Sequence, residues 1–187
     1  MPQGPLLILS GPAASGKTTL VQRVLAEDPH PLRVSVSATT RLPRKGELDG
    51  VHYHFWTAER FEQGIAAGEF LEYAQVHGRD YYGTLRREVD DYTMRGNGVI
   101  LVIDVQGAAK VRTARPDAVS VFLVTSSLDA YKQRLLDRGT EDEAAIARRL
   151  ETAQRELERV SEYQHVIVND DLNDAVAQFR RVIDQYF

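Results

Sequence analysis

A loop of small residues between an apolar run and a helical pattern constrains this chain most. Residues 11–18 read Gly-Pro-Ala-Ala-Ser-Gly-Lys-Thr, which matches the phosphate-binding pattern G-x-x-x-x-G-K-[ST]. The run at 6–9 predicts a strand before the loop, and 20–26 predicts a helix after it. This order aims several backbone N–H groups at one point, where the helix dipole also favours an anion. The loop predicts nucleoside triphosphate binding; the alternative is a chance turn of small residues.

Two side chains of the loop carry the predicted chemistry. Lys17 would place a positive charge between the outer phosphates, and the Thr18 hydroxyl would hold Mg²⁺, partly through water. The residues predicted to contact the triphosphate from the loop are Gly11, Pro12, Ala13, Ala14, Ser15, Gly16, Lys17, Thr18 and Thr19.

Length and charge bound the class of protein. The chain has 187 residues, which suits one domain with a proper core, and 23 basic against 27 acidic residues leave a net charge of −4. This acidic balance argues against general nucleic-acid binding. There is no cysteine, no signal-peptide start, and no apolar stretch near the roughly 20 residues of a membrane span. A cytoplasmic protein without membrane or nucleic-acid partners is predicted.

Short apolar runs alternate with helical patterns, which predicts an α/β fold: a mainly parallel sheet flanked by helices. The predicted core strands are 6–9, 33–36, 99–103, 119–124 and 166–168. The predicted helices are 17–26, 85–95, 107–114, 128–137, 141–160 and 172–186. Thr140 and Glu143 form a candidate capping box for the 141–160 helix, and the Arg and Glu residues between its apolar positions fit a solvated face.

The segment 37–83 breaks this alternation and predicts a small mixed β insertion. Its short alternating runs flank a helix predicted at 59–67, with Thr57 as a possible N-cap. An insertion of this size on a nucleotide-binding core is where a second substrate would be recognised.

The insertion opens with two arginines three positions apart. Arg41 and Arg44, in a loop stiffened by Pro43, would converge on one phosphate through forked hydrogen bonds, and Tyr53 and Tyr82 offer hydroxyl donors. The alternative is a surface loop with solvated arginines. The nearby phosphate loop favours phosphate binding.

Glu72 lies in a run that is otherwise apolar or small. Strict alternation would put Phe70, Glu72 and Ala74 on one face of a strand. A carboxylate accepts from two adjacent donors, and guanine offers such a pair at N1–H and the 2-amino group, whereas adenine does not. Guanine recognition and a half-exposed strand glutamate are both open on the residues alone.

At this point the sequence resembles the guanylate kinases, nearly from end to end. The resemblance rests on the following segments, in order: the loop at 11–18, Ser35-Val-Ser-Ala-Thr-Thr-Arg41-x-Pro-Arg44-x-Gly-Glu47, Tyr81-Tyr82-Gly83-Thr84, Ile103-Asp104-Val-Gln-Gly107, Arg138-Gly-Thr-Glu141 and Val166-Ile-Val-Asn169-Asp-Asp. It implies a single domain with a core at 1–36, 84–125 and 160–187, a GMP-binding insertion at 37–83 and a helical lid at about 126–159.

The resemblance also implies how GMP is held. Arg41, Arg44, Tyr53 and Tyr82 would bind its phosphate, with Glu47 supporting the arginine loop. Ser37, Glu72 and Thr84 would read the guanine.

Phosphoryl transfer between two polyanions needs charge cancellation and alignment more than a general base. Lys17 and Arg41 are therefore predicted catalytic cations, and the resemblance implies lid arginines that would close over the ATP phosphates. The lid candidates are Arg134 at the phosphates and Arg138 and Arg149 in catalysis; for Arg148 an ordinary ion pair is favoured.

Asp104 ends an apolar strand, where α/β sheets place ligand chemistry, so it is a candidate catalytic residue that would hold a Mg²⁺-bound water or accept from GMP. Two departures from the family pattern stand nearby. Val102 replaces a frequent second acidic residue, and Ala13-Ala14 replaces a common Ser-Gly pair. Because alanine resists positive φ, we expect the loop to avoid that region at Ala14.

These readings predict transfer of a phosphate from Mg²⁺-ATP to GMP, with dGMP as a further candidate substrate. Two alternatives are a catalytically inactive binding module on the same fold, and a related kinase acting on another nucleotide or a ribose bisphosphate. Asn169 is a candidate contact to the ATP base or ribose, or a loop cap.

Overall fold

The structure, a computed structural model, describes residues 3–76, 78–137 and 142–187. Its strands are β1 (Leu6–Ser10), β2 (Leu32–Val34), β3 (Ala38–Thr39), β4 (His54–Phe55), β5 (Phe70–Val76), β6 (Asp80–Leu85), β7 (Gly98–Val102), β8 (Val119–Val124) and β9 (His165–Val168). Its α-helices are α1 (Lys17–Glu27), α2 (Ala58–Ala66), α3 (Arg86–Thr93), α4 (Val105–Ala114), α5 (Leu128–Asp137), α6 (Glu143–Leu157) and α7 (Leu172–Asp184).

The central sheet confirms the predicted α/β class. It has five parallel strands in the order β2-β7-β1-β8-β9. All of β1 is buried, because helices cover both faces of a parallel sheet. Leu7 and Leu9 pack with α1 and α7, whereas Leu6 and Ile8 pack with α3 and α4 on the other face. The residues after β1 and β7 therefore emerge side by side at one edge of the sheet.

A second, four-stranded sheet has the order β4-β3-β6-β5 and is mixed, since β3 pairs parallel to β4 and antiparallel to β6. The prediction that Phe70 and Glu72 share a face is wrong, because the pairing of β5 with β6 shifts register between them. Phe70 stacks on Phe61, with ring centroids 4.4 Å apart, in the small core of this sheet. Glu72 is thereby turned toward a cavity, which it lines with Ala74.

The helix starts follow local capping chemistry. Thr57 caps α2 by accepting from the Arg60 N–H, as predicted. α6 begins later than predicted, because Asp142 caps it by accepting from the Ala145 N–H; the predicted cap, Thr140, lies outside the described residues. Within the described ranges, no helix is long and apolar enough to cross a membrane.

Candidate active site

The phosphate loop connects β1 to α1, and two of its glycines have a positive φ. Gly11 has φ 147° and Gly16, the N-cap of α1, has φ 94°. A Cβ on Gly16 would lie 2.3 Å from Asn169 Nδ2, so this position requires glycine for space as well as for conformation. Lys17 Nζ donates to the carbonyl oxygens of Gly11 at 2.6 Å and Pro12 at 3.0 Å, which holds the ammonium over the loop. Thr18 and Thr19 follow as exposed residues of the first helical turn.

The expectation that the loop avoids positive φ at Ala14 is wrong. Ala14 has φ 64°, the single non-glycine residue with positive φ in the part of the chain that the structure describes. Its side chain is buried among Leu135 of α5 and Ile146 of α6. This apolar contact offsets part of the strain that alanine suffers in the left-handed region.

Two side chains from distant segments hold the loop from the other side. Asn169, just after β9, donates its Nδ2 to the Ser15 carbonyl at 2.7 Å. Arg134 on α5 donates to the same carbonyl at 3.3 Å and to the Asn169 carbonyl. These contacts border a cavity of about 330 Å³ that Gly16, Thr19 and Arg134 line, beside the start of α1.

The arginine loop is organised around one carboxylate. Glu47 accepts two hydrogen bonds from Arg41, at 2.9 and 3.0 Å, and a third from the Arg44 backbone N–H at 2.6 Å. These contacts, led by the Arg41 guanidinium, lower the pKa of Glu47 to about 2. The same forked pair raises the pKa of Arg41, so both groups stay ionised. The Arg44 side chain is exposed in the same loop.

The predicted tyrosines lie beside this arginine pair. Arg41 Nε donates to the Tyr82 hydroxyl at 3.1 Å, and the Tyr53 ring packs edge-on against the Tyr82 ring. Burial raises the pKa of the Tyr53 phenol, which keeps its hydroxyl protonated as a donor.

Glu72 lines a cavity of about 260 Å³ and is itself buried. Its Oε1 accepts from the Thr84 hydroxyl at 2.8 Å and from the Thr84 N–H at 3.1 Å. Burial raises the pKa of Glu72, an effect that the Thr84 hydroxyl opposes. A Cβ on Gly107 would lie 3.1 Å from Glu72 Oε2, so this glycine lets α4 approach the carboxylate. Ser37 lines the same cavity.

Asp104 has a local role that its position at a strand end did not reveal. Its Oδ1 caps α4 by accepting from the N–H groups of Gln106 at 2.9 Å and Gly107 at 2.8 Å. This capping starts the helix at Val105, two residues earlier than predicted. Asp104 also lines the Glu72 cavity, together with Val102 and Ile103 from the same strand end.

Glu156 is a site residue that the sequence analysis missed, because it assigned the glutamates of this helix to a solvated face. Burial raises its pKa, while the Lys17 charge lowers it and the Asp104 charge raises it again, so the three groups share one electrostatic field. The available signal was periodicity. Glu156 falls three residues after the buried Ala153 and four before Val160, on the apolar stripe of α6.

The structure describes one of the two arginines predicted to act in catalysis from the lid. Arg149 is exposed on α6, and Arg138 lies outside the described residues. Among the residues described, no group of three or more His, Cys, Asp or Glu side chains could hold a metal ion.

Comparison with known proteins gives a consistent result. The sequence profile described as Guanylate kinase matches residues 3–186. A guanylate kinase of Symbiobacterium thermophilum is 51% identical over 182 residues, covering 97% of this chain and 85% of that protein. One from Neisseria meningitidis serogroup A is 48% identical, covering 97% and 88%. The crystal structure of guanylate kinase from Anaplasma phagocytophilum superposes with a TM-score of 0.76 at 31% identity, covering 98% and 86%.

The parallel sheet, the phosphate loop and the acidic cavity at the same sheet edge define an α/β nucleotide-binding protein of the phosphate-loop class. With the matches above, the class narrows to one family. The chain belongs to the guanylate kinase family.

Proposed function

We propose that this protein transfers the γ-phosphate of ATP to GMP, giving ADP and GDP. One observation carries the proposal: the phosphate loop and the Glu72 cavity open from neighbouring strand ends. The loop follows β1, one wall of the cavity follows β7, and the Ile103 N–H donates to the Leu9 carbonyl between them. Two phosphate groups bound at these points would meet at one sheet edge, where parallel α/β sheets hold ligands.

The Glu72 cavity would take the guanine. The Glu72 carboxylate would accept from N1–H and the 2-amino group, and Ser37 and Thr84 would approach O6. Adenine has an acceptor at N1 and lacks the 2-amino group, so AMP would leave a buried carboxylate unpaired. Asp104, in the same cavity wall, adds a second acceptor for GMP.

The arginine loop would bind the GMP phosphate. Arg41, held by Glu47, and Arg44 supply the positive charge, and the hydroxyls of Tyr53 and Tyr82 supply further donors. Because Glu47 orients Arg41 before the substrate arrives, less side-chain entropy is lost on binding.

ATP would bind at the phosphate loop. The loop amides would cradle its phosphates, and Lys17 would exchange its two carbonyl contacts for phosphate oxygens. Arg134, beside the Ser15 carbonyl, would add charge on the lid side. The hydroxyl of Thr18 is an oxygen donor of the kind that Mg²⁺ prefers, and it stands exposed next to Lys17, so these residues fit a Mg²⁺-ATP complex. The bound ion would supply charge neutralisation of the phosphates.

No strong general base is required, because the acceptor oxygen belongs to a phosphate that is already ionised near neutral pH. The helices α5 and α6 would act as the lid of the site and exclude water, which competes as a phosphate acceptor. Arg149 on α6 and Arg138 are the lid cations in this proposal. The alternative of an inactive binding module is not favoured, since relatives named guanylate kinase match nearly the whole chain.

A coupled assay of ADP formation tests the proposal. With Mg²⁺ and ATP, GMP should be turned over, dGMP more slowly, and AMP, CMP and UMP at least about 10³-fold less efficiently. Turnover of a pyrimidine nucleotide at the GMP rate, or no turnover of GMP, would refute the proposed function.

A further inference from the structure

The backbone of the phosphate loop is strained at Ala14, and the Ala14 side chain makes an apolar contact that glycine could not make. Ala14 has φ 64°, and its side chain is 7% exposed. Alanine in the left-handed region is unfavourable because its Cβ crowds the following carbonyl. A strained residue at a nucleotide-binding loop points to a function for its side chain.

That side chain joins the loop to both lid helices. Ala14 packs with Leu135 of α5 and Ile146 of α6, and Leu150 packs on this group; we call the four residues the loop–lid cluster. In the part of the chain that the structure describes, Ala14 is the member of this cluster that does not come from α5 or α6. Its neighbour Ala13 lies outside the cluster.

Polar contacts beside the cluster tie the same parts together. Arg134 precedes Leu135 and donates to the Ser15 carbonyl, one residue beyond Ala14. The loop and α5 are therefore joined by a hydrogen bond and by an apolar contact at adjacent positions. The apolar contact also reaches α6, the helix that carries Arg149.

We propose that Ala14 is a positioning residue for phosphoryl transfer: its methyl group couples the conformation of the phosphate loop to the placement of the two lid helices. The inference rests on the proposed function and deepens it. When the loop adjusts to the ATP phosphates, the Ala14 methyl transmits that change to Leu135 and Ile146, and so to Arg134 on α5 and Arg149 on α6. A glycine would relieve the strain and remove the contact, so the two effects on folding oppose each other.

A double-mutant cycle on Ala14→Gly and Ile146→Ala tests this coupling. Ala14→Gly should raise the KM for ATP about fivefold, the low end of typical coupling between sites, and leave the KM for GMP within about twofold. In the Ile146→Ala background the same substitution should have a clearly smaller effect, since only the contact with Leu135 remains. Ile146→Val provides the cycle if Ile146→Ala does not fold.

Ala13→Gly is the matched control, since it removes the same atoms from the same loop outside the cluster. Whatever the size of its effect on the KM for ATP, that effect should multiply with the effect of Ile146→Ala when the two substitutions are combined. If the Ala14→Gly effect also multiplies, or if Ala14→Gly has the kinetics of the parent protein, the coupling does not exist.

Amide hydrogen exchange supplies a readout that does not depend on activity. In the unliganded protein, Ala14→Gly should speed exchange about fivefold in the first two turns of α6, while the melting temperature stays within a few degrees. Unchanged exchange there would overturn the inference. Absence of phosphate transfer to GMP in the parent protein would refute the proposed function instead, and the exchange experiment would still decide the coupling.

Discussion

The phosphate loop and the Glu72 cavity are assembled from the chain in different ways. The loop is built from contiguous residues, in which Gly11 and Gly16 set the backbone and Lys17 bonds to carbonyls five and six residues back. The cavity draws Ser37, Glu72 and Asp104 from three separate segments. A local motif can thus be recognised directly in the sequence. A cavity formed by separate segments cannot, because it depends on the register and capping of distant elements.

Removing the loop cation should have the largest effect. Lys17→Ala should lower kcat about 10³-fold, because the charge that brings two polyanions together is lost. Circular dichroism and the melting temperature should stay near those of the parent protein. Lys132→Ala, an exposed lysine of α5, is the control for the loss of one positive charge. Near-normal turnover by Lys17→Ala would remove the loop from the mechanism.

In the Glu72 cavity, Glu72→Ala should weaken the binding of GMP and leave the binding of ATP nearly unchanged. The KM for GMP should rise on the order of 10²-fold, since a paired carboxylate is lost, and the KM for ATP should change less than about threefold. Equal effects on both substrates would remove Glu72 from base recognition and erase the contrast between the two regions.

The raised pKa of Glu72 also predicts a pH dependence of the KM for GMP. Burial favours the protonated carboxyl, which cannot accept from both guanine donors. The KM for GMP should therefore rise as the pH falls, at a higher pH than an ordinary glutamate would require. Glu72→Gln should flatten this rise, and an unchanged pH profile in that variant would assign the titration to another group.

Asp104 both caps α4 and lines the Glu72 cavity, so its capping and its charge need to be separated. Asn also caps helices, so Asp104→Asn should keep α4 and remove only the negative charge. We expect kcat/KM for GMP to fall roughly tenfold, the value of one hydrogen bond to a charged group. Asp171→Asn is the matched control, because Asp171 caps α7 with the same pair of bonds. If both variants have the same small effect, Asp104 acts only as a cap.

Glu47 should give the smallest effect. Glu47→Gln keeps the shape of the arginine loop and weakens a half-buried ion pair with Arg41, so the KM for GMP should rise about threefold. Because the pKa of Glu47 is lowered from 4.5 to about 2, its contribution to stability is present above pH 4.5 and is lost as the pH falls toward 2. Urea unfolding across that window should show a weaker pH dependence in the variant than in the parent protein.

The sequence predicts the features that local residues determine better than those that depend on contacts between distant segments. The bounds of β8 and the start of α5 are as predicted, because apolar periodicity decides them. The face of Glu72 and the φ of Ala14 were not predictable from local rules, because a register shift in β5 and a contact between the loop and two helices decide them. The burial of Glu156 was within reach of the sequence, because this residue falls on the apolar stripe of α6.

The most direct test measures kcat/KM for GMP and AMP, with saturating Mg²⁺-ATP, in the parent protein and in Glu72→Gln. The account predicts at least about a 10³-fold preference for GMP in the parent protein, and a preference smaller by on the order of 10² in the variant, with turnover supported by the phosphate loop in both. A parent protein that phosphorylates AMP as well as GMP, or a variant that keeps the full preference, would contradict it.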